Sequence, residues 1–153
     1  MLRHRKPALN THMSHNCNFI LIRCMDWRLK EGDDVLDWVE KNFGKKYDDP
    51  TYAGGVKDLI SPKNPAFTDH ILESIRISYD LHGVRKAVLM NHTDCGAYGG
   101  KAAFESPEAE EDQLIDDLKA SAGLIKNRWP DMEVTLVLSK VEGDRAIEHR
   151  IIE

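Results

Sequence analysis

The chain has 153 residues, 41% of them hydrophobic and 31% charged, with a net charge of −5. That length can bury a core in one domain, and that composition excludes general disorder. The negative balance gives no general attraction to nucleic acid or anionic membranes, and no apolar run reaches the roughly 20 residues of a membrane span.

The opening stretch, MLRHRKPALNTHMSHN, is basic but lacks the apolar centre of a secretory signal. Residues 1–17 are therefore expected to be a flexible N-terminal tail and 18–153 a single α/β domain. Three cysteines are few for a disulfide scaffold and cannot all pair within the chain, so a cytoplasmic location is the default. Asn18–Arg23 (NFILIR) is a short apolar, β-branched run, the pattern of a strand buried on both faces. From Lys30 to Phe43, Val35, Leu36, Val39 and Phe43 recur at helical spacing, and Gly44 ends the stretch. Lys46–Tyr52 is a weaker strand signal, punctuated by Ala53-Gly54-Gly55.

The next helix begins with Asn64 as cap and Pro65 in the first turn. Its inward face is Phe67, Ile71, Leu72, Ile75 and Tyr79, and Gly83 closes it. Val84–Met90 is a second apolar strand, running into Asn91-His92-Thr93-Asp94-Cys95-Gly96. Ser106-Pro107-Glu108 opens another helix with Leu114, Leu118, Ala122, Ile125 and Trp129 inward and Pro130 as the stop; Glu133–Leu138 is the last strand. Alternating strands and helices predict an α/β fold, a mostly parallel sheet flanked by helices. Ligands in such folds gather at the carboxyl ends of the strands.

Three polar segments fall at those ends: Cys24–Arg28, Ala53-Gly54-Gly55 and His92–Cys95. If the first and second apolar strands are neighbours, Cys24, His92 and Cys95 converge. Two thiolates and an imidazole suit zinc better than magnesium or calcium. A fourth thiolate is lacking, because Cys17 lies at the far end of the first strand, about 20 Å away at roughly 3.3 Å per residue. Cys17 is read as a small buried hydrophobe. The metal site is therefore open, as catalytic zinc sites are, unless Asp26 fills the fourth position.

Cys24-x-Asp26-x-Arg28 and His92-x-x-Cys95-Gly96, with Ala53-Gly54-Gly55 between them, resemble the β-class carbonic anhydrases over Asn18 to about Gly143. The resemblance implies a zinc lyase with Cys24, His92 and Cys95 as metal ligands and Asp26–Arg28 as a catalytic dyad. It further implies reversible hydration of carbon dioxide to bicarbonate by a water that the metal acidifies, and a homodimer or higher homo-oligomer. Arg28 would pair with Asp26 and restrain it from the metal. Gly54 and Gly55 would let backbone N–H groups approach an anion such as bicarbonate, or would simply form a tight turn. Trp27 is either a pocket wall or a core residue. Asp94 is read as an acceptor for a backbone amide or for a group behind a metal ligand, or as a helix cap; Tyr98 and Gly99-Gly100 could border the pocket; His70 and His82 are read as proton relays or solvated helix-face residues.

The pattern departs from the family at Trp27, where a small residue is usual, and at Thr51-Tyr52, where Arg-Asn is common. No N-terminal helical arm is expected from the opening stretch. These departures bear on the substrate and not on the metal. Two other readings follow from them: hydrolysis of a related heterocumulene, carbonyl sulfide or carbon disulfide, or a catalytically silent zinc-binding module. Cysteine-based redox chemistry lacks a Cys-x-x-Cys pair, and a phosphatase loop would need Arg at Lys30.

Overall fold

A computed structural model describes residues 15–153. Its strands are β1 (Phe19–Cys24), β2 (Tyr47–Asp48), β3 (Thr51–Tyr52), β4 (Lys86–His92), β5 (Glu133–Glu142) and β6 (Arg145–Ile152). The sheet order is β2-β1-β4-β5-β6, with β3 also on β1. Every pairing is parallel except the antiparallel β5–β6. The helices are α1 (Val35–Phe43), α2 (Lys57–Ile60), α3 (Pro65–Leu81) and α4 (Pro107–Arg128).

The expected mixed architecture, a sheet between helices, is thus the observed one. β1 is buried along its whole length and alternates between two cores. Ile20 and Ile22 pack with Leu72, Ile75, Leu118 and Ile125 under α3 and α4. Phe19 and Leu21 pack with Val35, Val39, Leu29 and Met90 on the α1 side. A strand covered on both faces has no polar side to show, which is why its sequence is continuously apolar.

The caps follow the local chemistry. Asp34, Asn64 and Ser106 accept the amides of Leu36, Ala66 and Ala109 at the starts of α1, α3 and α4. Several expectations need correction. The first helix starts at Val35 and not Lys30, because Trp27–Lys30 is a separate 3-10 turn and Asp34 supplies the cap. The weak strand divides into β2 and β3, two residues each, on either side of Asp49-Pro50. Phe67 is 48% exposed instead of inward, since it lies in the first turn of α3, short of the core.

The last strand is not the last: β6 follows β5 through a two-residue Gly143-Asp144 connection, a hairpin signal in the sequence. Of the expected tail, residues 1–14 lie outside the described residues. Cys17 is already tied in, its amide donating to the His82 carbonyl at 3.1 Å. Among the described residues no helix is long and apolar enough to cross a membrane.

Two glycines give a paired test of this packing. Gly55 has φ +61°, and a Cβ there would stand 2.6 Å from the Met90 carbonyl oxygen. Gly123 lies within α4, and among the described residues nothing stands within 4 Å of its Cβ position. Gly55→Ala should destabilise by more than about 1 kcal/mol, and Gly123→Ala should stabilise by about 0.5–1 kcal/mol. Urea denaturation of both variants checks the pair; equal effects would contradict the close approach at Gly55.

Candidate metal centre

β1 and β4 are adjacent and parallel, with Ile20, Leu21 and Ile22 opposite Ala87, Val88 and Leu89. Both strands end at the same edge, so Cys24, the last residue of β1, meets His92, the last of β4. Cys95 follows after a tight turn through Asp94, which takes φ 55°, and leads into the 3-10 turn Gly96–Tyr98. The three ligand atoms lie within 4.8 Å of one another, and all three residues are buried. The two sulfurs are 4.0 Å apart.

His92 fixes its own tautomer. Its Nδ1 lies 2.7 Å from the Thr93 carbonyl, which can only accept, so the ring proton sits on Nδ1. Nε2 is then a buried lone pair, and it has no hydrogen-bond partner among the described residues. A buried polar atom left in this way carries a desolvation cost that a cation would remove.

The electrostatics point the same way. The Cys95 thiol, donating to the Cys24 sulfur, holds the Cys24 thiol well below its usual range; burial opposes this and His92 assists. That shared bond and then burial push Cys95 up. Burial works to lower His92, but the Cys24 sulfur outweighs it and the imidazole is raised. The Gly54 amide also donates to the Cys24 sulfur, at 3.4 Å. Thiolate character and an unpaired imidazole nitrogen in one buried cluster are groups that could hold a metal ion.

Around this trio stands a charged frame. Arg28 uses all five of its side-chain donors: Nε and one terminal nitrogen on Asp26, the others on the Asp94 carboxylate, the Asp94 carbonyl and the Gly143 carbonyl. Burial raises the Asp26 carboxyl, but the Arg28 hydrogen bonds prevail and leave it lowered. Asp26 Oδ2 lies 3.7 Å from His92 Nε2. Asp94 in turn accepts the Lys101 amide. Its own amide donates to the buried carboxylate of Glu110 on α4 at 2.8 Å.

A cavity of about 710 Å³ opens over the cluster, bordered by Cys24, Asp26, Trp27, Gly54, Cys95 and Gly99-Gly100 among others. Trp27 is a rim residue, 57% exposed, and not core. Gly54 borders the cavity, whereas Gly55 is buried behind it with its amide on the Tyr52 carbonyl. Tyr98 turns away and donates to Asp117. His70 is exposed on α3, and His82 bonds Asp48 beyond the other end of β1, so neither stands at the cluster. Glu110 was not legible as part of the frame, because a helix-face glutamate carries no sign of what it meets.

Residues 14–143 match the family model described as "Putative carbonic anhydrase". The chain belongs to that family, as a divergent carbonic anhydrase-like member. It is 28% identical to an uncharacterized protein of Rickettsia bellii over 81% of this chain and 77% of that one. It is 26% identical to an uncharacterized protein of Rickettsia conorii over 88% and 74%. A carbonic anhydrase from Glaciozyma antarctica shares the fold, with a TM-score of 0.53 at 19% identity, over 92% of this chain and 85% of that one. The family supports a carbonic anhydrase-like function, and the structural likeness shows a shared fold.

Glu110→Ala would leave the Asp94 amide without its acceptor. The expected cost is about 1–3 kcal/mol in denaturant unfolding, with Glu110→Gln recovering most of it. If the alanine variant is as stable as the parent, the anchoring of Asp94 by α4 is wrong.

Proposed function

We propose that Cys24, His92 and Cys95 hold one zinc ion and that the chain catalyses the reversible hydration of carbon dioxide to bicarbonate. The observation that carries this reading is the His92 Nε2 lone pair, buried and without a hydrogen-bond partner among the described residues, beside two sulfurs 4.0 Å apart. Zinc held there would act as a Lewis acid and acidify a water in its remaining position.

The chain's own residues do the rest. Thr93 holds the His92 proton on Nδ1, so Nε2 stays available. Asp26 accepts a hydrogen bond from the reacting water at Oδ2, the oxygen nearer His92. Arg28 keeps that carboxylate ionised and fixed, and it restrains Asp26 from becoming a fourth ligand. Ala53 and Ala97, with Met25 and Trp27 at the rim, give the cavity apolar surface suited to an uncharged linear substrate. Gly54 serves the centre through its amide on Cys24 more directly than through an incoming anion.

Trp27 supports a second reading, hydrolysis of carbonyl sulfide or carbon disulfide, because a bulky side chain at the rim reshapes access to the same centre. We also propose a homodimer, since Met25 and Trp27 leave 64% and 57% of their surfaces exposed together beside the cavity. Three free cysteines fit a reducing compartment such as the cytoplasm.

Stopped-flow hydration with a pH indicator, followed by the sulfur substrates, tests the reading. Cys24→Ser and Cys95→Ser should lose the zinc of this centre and all activity. Asp26→Asn should keep the zinc and lose activity by about 100- to 10,000-fold. Arg28→Ala should also keep zinc and slow strongly. A zinc-loaded parent inactive on every substrate would leave only a metal-binding module. Unchanged rates in both dyad variants would remove Asp26 and Arg28 from the mechanism.

A further inference from the structure

At the other end of β1 from Cys24 stands a second group of side chains with metal-binding chemistry. Cys17 precedes β1, Asp48 is in β2 and His82 caps the C-terminal end of α3. Their ligand atoms lie within 4.8 Å of one another, and each residue is half-buried, so the group is reachable from solvent.

Three chain segments hold these groups in place. The Cys17 amide donates to the His82 carbonyl at 3.1 Å. Asp48 is fixed opposite Ile20 by the β1–β2 pairing. Ser78, 1% exposed, donates its hydroxyl to Asp48 Oδ2 at 2.6 Å. His82 Nδ1 lies 2.7 Å from Asp48 Oδ2 and 3.0 Å from Oδ1.

An Asp48–His82 pair alone would make a polar staple between β2 and α3. It does not account for the sulfur. The Cys17 thiol makes a long contact to the Phe19 carbonyl at 3.6 Å, and burial, then the neighbouring Asp48 carboxylate, push it up and disfavour its thiolate. A cation among the three groups reverses that repulsion. The site also lies at the carbonyl end of the 17-residue α3, where the helix dipole favours positive charge.

We propose that Cys17, Asp48 and His82 form a second divalent-metal site, of zinc type, with Ser78 orienting the carboxylate. Thiolate sulfur, imidazole nitrogen and carboxylate oxygen are all zinc ligands, and a hydrogen-bonded carboxylate is how such ligands are commonly held. Binding releases the Cys17 thiol proton to solvent; a neutral His82 carrying its proton on Nδ1 transfers it to Nε2 and a cationic His82 loses its Nδ1 proton to solvent, so either ends as the Nε2–H tautomer. Three protein ligands and solvent access make this an exchangeable site that clamps the start of β1 and β2 to the end of α3. It stands about 20 Å from the Cys24 centre at roughly 3.3 Å per residue of strand, and it does not rest on the hydration activity.

The test is zinc stoichiometry of the full chain, stripped with chelator and then equilibrated with micromolar zinc. The parent should hold about two ions per chain, one for each ligand cluster. Cys17→Ser and His82→Gln should each fall to about one while keeping parental hydration activity. Cys24→Ser should lose the other ion and keep this one, so failure of either site is seen separately. Cobalt(II) in the Cys24→Ser protein should show thiolate-to-cobalt absorption that disappears when Cys17→Ser is added. No ion in the Cys24→Ser protein, or a parental ion count that either Cys17→Ser or His82→Gln leaves undiminished, overturns the proposal.

Discussion

The parallel pairing of β1 with β4 is the constraint on which the site depends. Its register, Ile22 opposite Leu89, sets Cys24 level with the last residues of β4. A shift of either strand by one residue would invert its side chains relative to its neighbour and send each to the wrong core. That shift is prohibited by burial on both faces: Ile20 and Ile22 fit under α3 and α4, Phe19 and Leu21 under α1. The hydrophobic effect thus brings the ends of the two strands, and with them Cys24 and His92, to the same edge of the sheet. Gly55 completes the arrangement by letting the backbone pass against the Met90 carbonyl.

Arg28 is the second organising element. A guanidinium offers its donors in a rigid fork, and here the fork joins three places: Asp26 after β1, Asp94 after β4, and Gly143 in the β5–β6 turn. A lysine would bring three donors on a single nitrogen and lacks the planar fork that spans these places. Because β6 supplies the turn that Gly143 occupies, the antiparallel edge strand contributes to holding the site. Glu110 extends the frame to α4 by fixing Asp94 from behind. The frame therefore draws on the sheet, the hairpin and a helix, which gives Asp26 a defined orientation toward His92.

Much of this was legible in the sequence because it is local. The caps at Asn64 and Ser106, the buried strands, and Cys24, His92 and Cys95 at strand ends all follow from periodicity and spacing. What was not legible depends on distant partners. Glu110 lies 16 residues beyond Asp94, and nothing near it signals that its carboxylate turns inward. Cys17 reads as a small hydrophobe, and it does pack against the core, but its sulfur faces Asp48 and His82 only because β2 and α3 meet at that corner. Gly54 and Gly55 read as a pair, yet tertiary packing gives them different work. The strand β6 is not legible although Gly143-Asp144 has hairpin character, because its buried positions, Ala146 and His149, do not alternate cleanly.

Zinc-edge X-ray absorption on the zinc-loaded Cys17→Ser protein tests the central claim most directly, since that variant isolates the Cys24 centre. The account predicts two sulfur scatterers at about 2.3 Å, one imidazole nitrogen at about 2.0–2.1 Å and one further light oxygen atom. An all-sulfur shell, a shell without sulfur, or failure to retain zinc would contradict it.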